Sequence, residues 1–197
     1  DEVVTGFGRS GSMFGVRGWG VAADIMCFAK GISSGYVPLG ATVINQRIAD
    51  SFMEAGPNGM VAHGLTYSGH PLACAAGVAA LDVVIKESLD INAGKVGAYC
   101  KEKFMPLVDR HEHLGEVRGK GLMLALDLVT DKTSRMSVNP ADGYSDMLAA
   151  HCQQNGVLIR SVGPKIILSP PLTFTNDNVD QLVEVIDQAL VDTKYPT

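Results

Sequence analysis

The chain has 197 residues, of which 46% are hydrophobic and 19% charged, with a net charge of −5. This is enough apolar material for one substantial core or two small domains. No basic stripe offsets the acidic balance to hold nucleic acid, and no apolar run approaches the ~20 residues of a membrane-spanning helix.

No secretory leader is visible, and the first residue is Asp1 rather than Met, which points to a start upstream of it. Residues 1–23 form a glycine-rich loop containing Gly6, Gly8, Gly11, Gly15, Gly18 and Gly20. The apolar run "DIMCFA" (24–29) predicts a short buried strand. It stops at Lys30, which opens the turn "KGISSGYVP". "LGATVIN" (39–45) predicts a second strand, and "QRIADSFMEA" (46–55) a helix that "GPNG" terminates. "HGLTYSGHP" (63–71) is a polar loop whose Pro71 suits the first turn of a helix. That helix, "PLACAAGVAALDVVIKE", is rich in Ala and Gly, which allow close backbone approach and place it in a packed interior. A further helix is expected over about 90–110.

The pattern changes near Gly115. "EVRGKGLMLALDLV" (116–129) reads as a strand pair or one bent strand, and "GYSDMLAAHCQQNG" (143–156) as a helix with a glycine stop. "VLIR" (157–160) and "KIILSPP" (165–171) read as strands around an "SVGP" turn. "TNDNVDQLVEVIDQALVDT" (175–193) is a closing amphipathic helix with Thr175 or Asn176 as N-cap. The order of elements predicts an α/β segment followed by a smaller α+β unit.

Four cysteines, at 27, 74, 100 and 152, form no CxxC, and Cys27 and Cys74 sit in apolar segments. They read as buried free thiols of a reducing cytoplasm. His111 and His113 do not share a helix face at their spacing, so they read as a solvated loop rather than a metal site. "GFGRSG" (6–11) matches G-x-G-x-x-G literally, but a dinucleotide loop needs a strand before it and a helix after it, and "SMFGVRGWGV" does not read as a helix.

Lys30 has two readings. It is a solvated strand end, or it is a reactive amine, with small flexible residues around it and Asp1 upstream across the glycine loop. Four ordered segments bear on the choice: "DEVVTGFGRSG", "DIMCFAKGISSGYVPLGA", "HGLTYSGHPLACAAG" and "VRGKGLMLALDL". Together they resemble the second half of the class III aminotransferases, fold-type-I enzymes that use pyridoxal 5′-phosphate (PLP). Within that class the chain most resembles the ω-amino acid or amine:pyruvate transaminases, over essentially its whole length.

The resemblance implies an α/β fold in which residues 1–89 are the C-terminal part of the PLP-binding large domain and 90–197 a small α+β C-terminal domain. It makes Lys30 the residue that forms an imine with PLP, and Asp1 the partner of the pyridinium nitrogen. Val3 packs on one ring face. Thr66 donates to the cofactor phosphate across a homodimer interface, and Arg160 holds a substrate carboxylate. These residue types suit the chemistry. A primary amine that can lose its proton is needed for imine formation and proton transfer. An anion at the ring nitrogen keeps it protonated, and a guanidinium binds a carboxylate bidentately. Arg160 also reads as a surface ion-pair partner and Thr66 as a loop hydrogen-bonder; Arg118 reads as structural.

Family members are roughly twice as long. Neither the turn that cradles the phosphate nor the aromatic residue for the second ring face is found here. The expected parent activity is amino transfer between an amine or ω-amino acid and a 2-oxo acid, pyruvate. An aminomutase, racemase or decarboxylase reaction of the same class, or a non-catalytic half-domain, is the alternative. The chain alone is expected to be inactive without its missing N-terminal half.

Overall fold

The computed structural model describes residues 1–196. They form two compact units, one spanning Asp1–Asp90 and a second beginning at Ile91.

The first unit opens with the glycine-rich loop, interrupted only by a one-turn helix, α1 (Gly15–Gly18). β1 (Ile25–Phe28) and β2 (Ala41–Ile44) pair antiparallel, with Ile25 opposite Ile44 and Phe28 opposite Ala41. A short helical turn, Lys30–Ile32, lies between them in sequence. α2 (Gln46–Glu54) is capped by Asn45, whose side-chain oxygen accepts the Ile48 N–H at 3.1 Å. Asp24 accepts from both Asn45 and Arg47, tying the entry of β1 to α2. α3 (Pro71–Lys86) begins with Pro at its first position, where its missing N–H costs nothing.

Two expectations are corrected here. β1 is not a buried strand, since only Phe28 is buried and Ile25 is exposed. α3 is not enclosed either: Ala73, Gly77 and Val84 are buried, while Leu72, Val78, Val83 and Ile85 face outward. An apolar run reports the tendency to be covered, and in this unit two strands and two longer helices supply too little surface to cover it.

The second unit is a sheet with helices packed on it. α4 (Leu89–Arg110) leads into the hairpin β3 (Leu114–Lys120) and β4 (Met123–Asp131). β5 (Met136–Ser137), α5 (Tyr144–Gln154), β6 (Arg160–Val162), β7 (Lys165–Leu168) and α6 (Asn176–Asp192) follow. The sheet order is β3-β4-β7-β6, all antiparallel, with β5 on β4. Along β4, Leu124, Leu126 and Leu128 are buried at every second position, the signature of one face on a core. The helices meet that face with their own period. α4 contributes Ala93, Val96, Cys100, Phe104 and Leu107, and α6 Val179, Leu182, Ile186 and Ala189. Thr175 and Asn178 close a reciprocal capping box at the start of α6.

The strand predicted at 157–160 is displaced to Arg160–Val162, because Ser161 and Val162 continue the ladder with Ile166 and Lys165. All four cysteines are free as expected, but only two of them are buried. Cys27 and Cys74 are exposed, and Cys100 and Cys152 are buried; burial pushes their thiols up, to about 12 and about 11. The histidines are not a solvated loop either. His111 is buried against Asp187, and His113 bonds the Val129 carbonyl and packs edge-on against Tyr144 and at a tilt against Tyr195. Arg118 pairs with Asp127 at 3.0 Å across the β3–β4 hairpin. No helix among the described residues is long and apolar enough to cross a membrane.

Candidate active site

β1 delivers the chain to Ala29 in an extended conformation, and Lys30 then turns into positive φ, at 41°. A β-carbon in this left-handed region is uncommon and strained, and such residues concentrate at functional sites. The turn is closed by Ile32 N–H to Ala29 O at 3.0 Å and by the buried Ser33, whose hydroxyl donates to Val37 O at 2.7 Å. Its underside rests on the glycine loop, where a β-carbon on Gly31 would lie 3.2 Å from the Phe7 ring. Phe7, Phe14 and Phe28 form a cluster with centroids 5.3–5.7 Å apart. α3 supports the other side, since a β-carbon on Gly77 would approach Leu39 and the Ile32 carbonyl. The Lys30 side chain is exposed and engaged by no hydrogen bond or ion pair among the described residues.

Asp1 and Val3 lie on a segment tied to β1. The Glu2 N–H donates to Cys27 O at 2.9 Å, so residues 1–3 run beside β1 three positions before Lys30. Asp1 is exposed, and its Oδ1 accepts the Val3 N–H at 2.7 Å; Val3 is half-buried. Between them the Glu2 carboxylate is turned inward. It accepts the Thr5 hydroxyl at 2.6 Å and the N–H groups of Gly15 and Val16 at 2.9 and 2.8 Å. Burial pushes its pKa up, but the Thr5 hydroxyl and the two amides outweigh burial and hold it below the ordinary 4.5. Sequence reasoning missed Glu2. The available signal was an acid beside Asp1 leading into a run of glycine amides.

Thr66 lies in an exposed turn in which Ser68 N–H donates to Leu65 O at 2.9 Å. No contact among the described residues links Thr66 to Asp1, Val3 or Lys30. Arg160 belongs to the second unit. It is exposed on β6 and lines a cleft of about 700 Å³ with Leu158, Pro171, Phe174 and Leu182. Among the described residues it is the one charged residue of that lining, and no ion pair engages it.

Residues 1–190 match the family model described as aminotransferase class-III. The chain belongs to the class III aminotransferase family. It is 37% identical over 193 residues to the diaminobutyrate–2-oxoglutarate transaminase of Halomonas elongata, covering 96% of this chain and 41% of that protein. It is 35% identical over 191 residues to the putrescine–pyruvate aminotransferase of Pseudomonas aeruginosa, with the same coverage of each. Among solved structures, an amine transaminase from an uncultivated Pseudomonas species, in its PLP-bound (internal aldimine) form, superimposes with a TM-score of 0.95 at 55% identity. That match covers 98% of this chain and 44% of the other. A thermostable (S)-enantioselective ω-transaminase from Thermomicrobium roseum superimposes with a TM-score of 0.91 at 42% identity. The fold is therefore part of the fold-type-I transferase architecture, and the chain spans about two-fifths of the length of the relatives it matches.

Proposed function

We propose that these residues belong to a PLP-dependent transaminase that moves an amino group between an amine or ω-amino acid and pyruvate. Lys30 carries the proposal: an exposed amine without a partner among the described residues, held at positive φ at the end of a strand to which a segment bearing a carboxylate and a half-buried valine is tied. These groups fit PLP, since they offer an amine, an anion and an apolar contact on adjoining segments. When bound, PLP supplies a carbonyl that takes up amines and a ring that accepts an electron pair.

The chain's own residues then have distinct tasks. Lys30 holds the cofactor and, once freed, its amine carries the proton to and from the substrate carbon. Asp1 keeps a proton on the ring nitrogen by its charge. Val3 excludes water from one face. Thr66, whose hydroxyl is engaged by nothing among the described residues, donates to the phosphate of a cofactor held by a second copy, which makes the active protein a homodimer or a multiple of one. Arg160, the lone charge of its cleft, holds the carboxylate of the 2-oxo acid. In this reading residues 1–89 serve the cofactor as part of a large domain, and 90–197 form a small domain. The four free thiols suit a reducing compartment such as the cytoplasm.

The test is chemical. The full-length protein containing this chain, loaded with PLP, is reduced with borohydride and digested. The pyridoxyl group is expected on Lys30; a label on Lys86, Lys120 or Lys165 overturns the assignment. Pyruvate and 2-oxoglutarate, compared as acceptors for the same amine, then test the substrate class.

A further inference from the structure

We propose that Glu2 is a positioning residue: its buried carboxylate gathers the glycine-rich loop around itself and thereby fixes Asp1 and Val3 beside Lys30. Glu2 is 1% exposed. Its three donors, the Thr5 hydroxyl and the Gly15 and Val16 amides, are all neutral. Burying a carboxylate on neutral donors alone is expensive, and an apolar side chain would fill the space at less cost. The charge gives convergence instead. A carboxylate accepts from several donors at once, so one group fastens residue 5 and residues 15–16 to residue 2.

The glycines of the loop fit this wrapping. A β-carbon on Gly6 would lie 2.7 Å from the Glu2 carbonyl oxygen. One on Gly15 would lie 2.9 Å from the Thr5 β-carbon and 2.8 Å from the Trp19 ring. The Gly15 and Val16 amides thus turn toward the chain's own anion, while Gly6 packs against the Glu2 backbone. Glu2 also donates its backbone N–H to Cys27 O. With its side chain anchored inward and its backbone anchored to β1, the side chains on either side of it are fixed in place: Asp1 exposed, Val3 half-buried. Burial continues from there through Phe7 and Phe28 to the turn that carries Lys30.

The positioning role rests on the assignment of Asp1 and Val3 proposed above, so its test separates the two. In the full-length protein, Glu2→Gln replaces one acceptor oxygen with a donor that faces N–H or O–H groups. Loss of one charge-assisted hydrogen bond corresponds to about tenfold in an equilibrium constant. Hydrogen exchange of the Glu2 and Val3 amides is therefore expected to accelerate about tenfold or more, with the α3 amides unchanged. In the PLP-loaded protein, the pH dependence of the visible absorbance is expected to move in the direction that Asp1→Asn moves it. Thr5→Val removes one donor at constant shape and should give a smaller change of the same sign, which keeps the test open if Glu2→Gln does not fold.

Unchanged amide exchange in a folded variant overturns the positioning role. So does faster exchange with a wild-type absorbance profile when Asp1→Asn shifts that profile, because Glu2 would then be only structural. If Asp1→Asn leaves the absorbance unchanged, the assignment of Asp1 fails, and amide exchange alone decides whether Glu2 fixes residues 1–3.

Discussion

The two units solve the problem of holding a shape differently. The second buries a continuous cluster drawn from α4, α5, α6 and the sheet, including Phe104, Leu114, Leu122, Leu126 and Ile166. The first buries few apolar side chains, among them Phe7, Phe28, Ala73 and Val84, and leaves Ile25, Val43, Leu72, Val78 and Ile85 exposed. Its sheet has two strands, and a lone hairpin is marginal in water. What holds the first unit is local: the carboxylate of Glu2, the three phenylalanines and the Asp24 clasp on α2. The candidate residues Asp1, Val3, Lys30 and Thr66 all lie in this unit. Low intrinsic stability around reactive groups is a common pattern, and the comparison can be broken or sharpened by substitution.

The largest effect is expected at Phe104 on α4, which is 0% exposed. Phe104→Ala should cost about 3–5 kcal/mol in urea unfolding of the chain, from lost transfer energy and the cavity left behind. Leu72→Ala removes a side chain of similar apolar character that is 66% exposed, and should fall within about 0.5 kcal/mol of wild type. Similar costs for the two would refute the contrast between a unit with a core and a unit without one.

Two glycines inside helices extend the comparison. A β-carbon on Gly97 would lie 2.1 Å from the Gly121 carbonyl oxygen at the β3–β4 turn. Backbone cannot swing aside, so Gly97→Ala should destabilise by about 1–3 kcal/mol. In α3, a β-carbon on Gly77 would meet the end of the Leu39 side chain at 2.8 Å. That methyl can move, and the helix propensity gained, about 1 kcal/mol, offsets the crowding. Gly77→Ala is expected near zero by thermal melting. A clear loss at Gly77 would mean that α3 is held as rigidly as α4.

How much of this was legible in the sequence depended on how far each signal reached along the chain. Strands and helices of the second unit were readable because β4 and α6 carry clean periods of two and of 3.6. β5, only Met136–Ser137, was too short to carry a pattern. His111 was misread because its partner, Asp187, lies on another helix, and no local spacing records that. The exposed faces of β1 and α3 were misread as interior because composition reports apolarity and not what covers it. At the candidate site, ordered motifs singled out Lys30 and Asp1; the positive φ at Lys30 and the inward turn of Glu2 were not readable from them, since both arise from how the glycine loop folds back on β1.

The helix caps give a smaller, sharper test. Thr175 and Asn178 cap α6 reciprocally, and Asn45 caps α2 while also donating to Asp24 at 2.6 Å. Thr175→Ala and Asn45→Ala should each cost about 1 kcal/mol locally. Because α6 packs on the shared core, the Thr175 loss should appear in global unfolding. The Asn45 loss should appear only as faster amide exchange in the first turn of α2. A global shift from Asn45→Ala would show that α2 unfolds together with the rest.

The smallest effect on the whole chain is expected from acid. Glu2 has its folded pKa below the ordinary 4.5, because the Thr5 hydroxyl and the Val16 and Gly15 amides outweigh burial. Folding is then favoured by ionisation: the contribution is complete above 4.5, where the unfolded carboxyl is already charged, and is lost as the pH falls through the lower folded value. Protonation leaves the Gly15 and Val16 N–H groups facing a neutral acid and loosens their bonds. Protection factors of those two amides, followed from about pH 6 down to about pH 3, should therefore fall while those of the Leu124–Leu128 stretch of β4 stay level. In Glu2→Gln the same amides should start with low protection and show no further loss in acid. Equal loss in β4 over that range would place the acid-sensitive group in the second unit and not in the glycine loop.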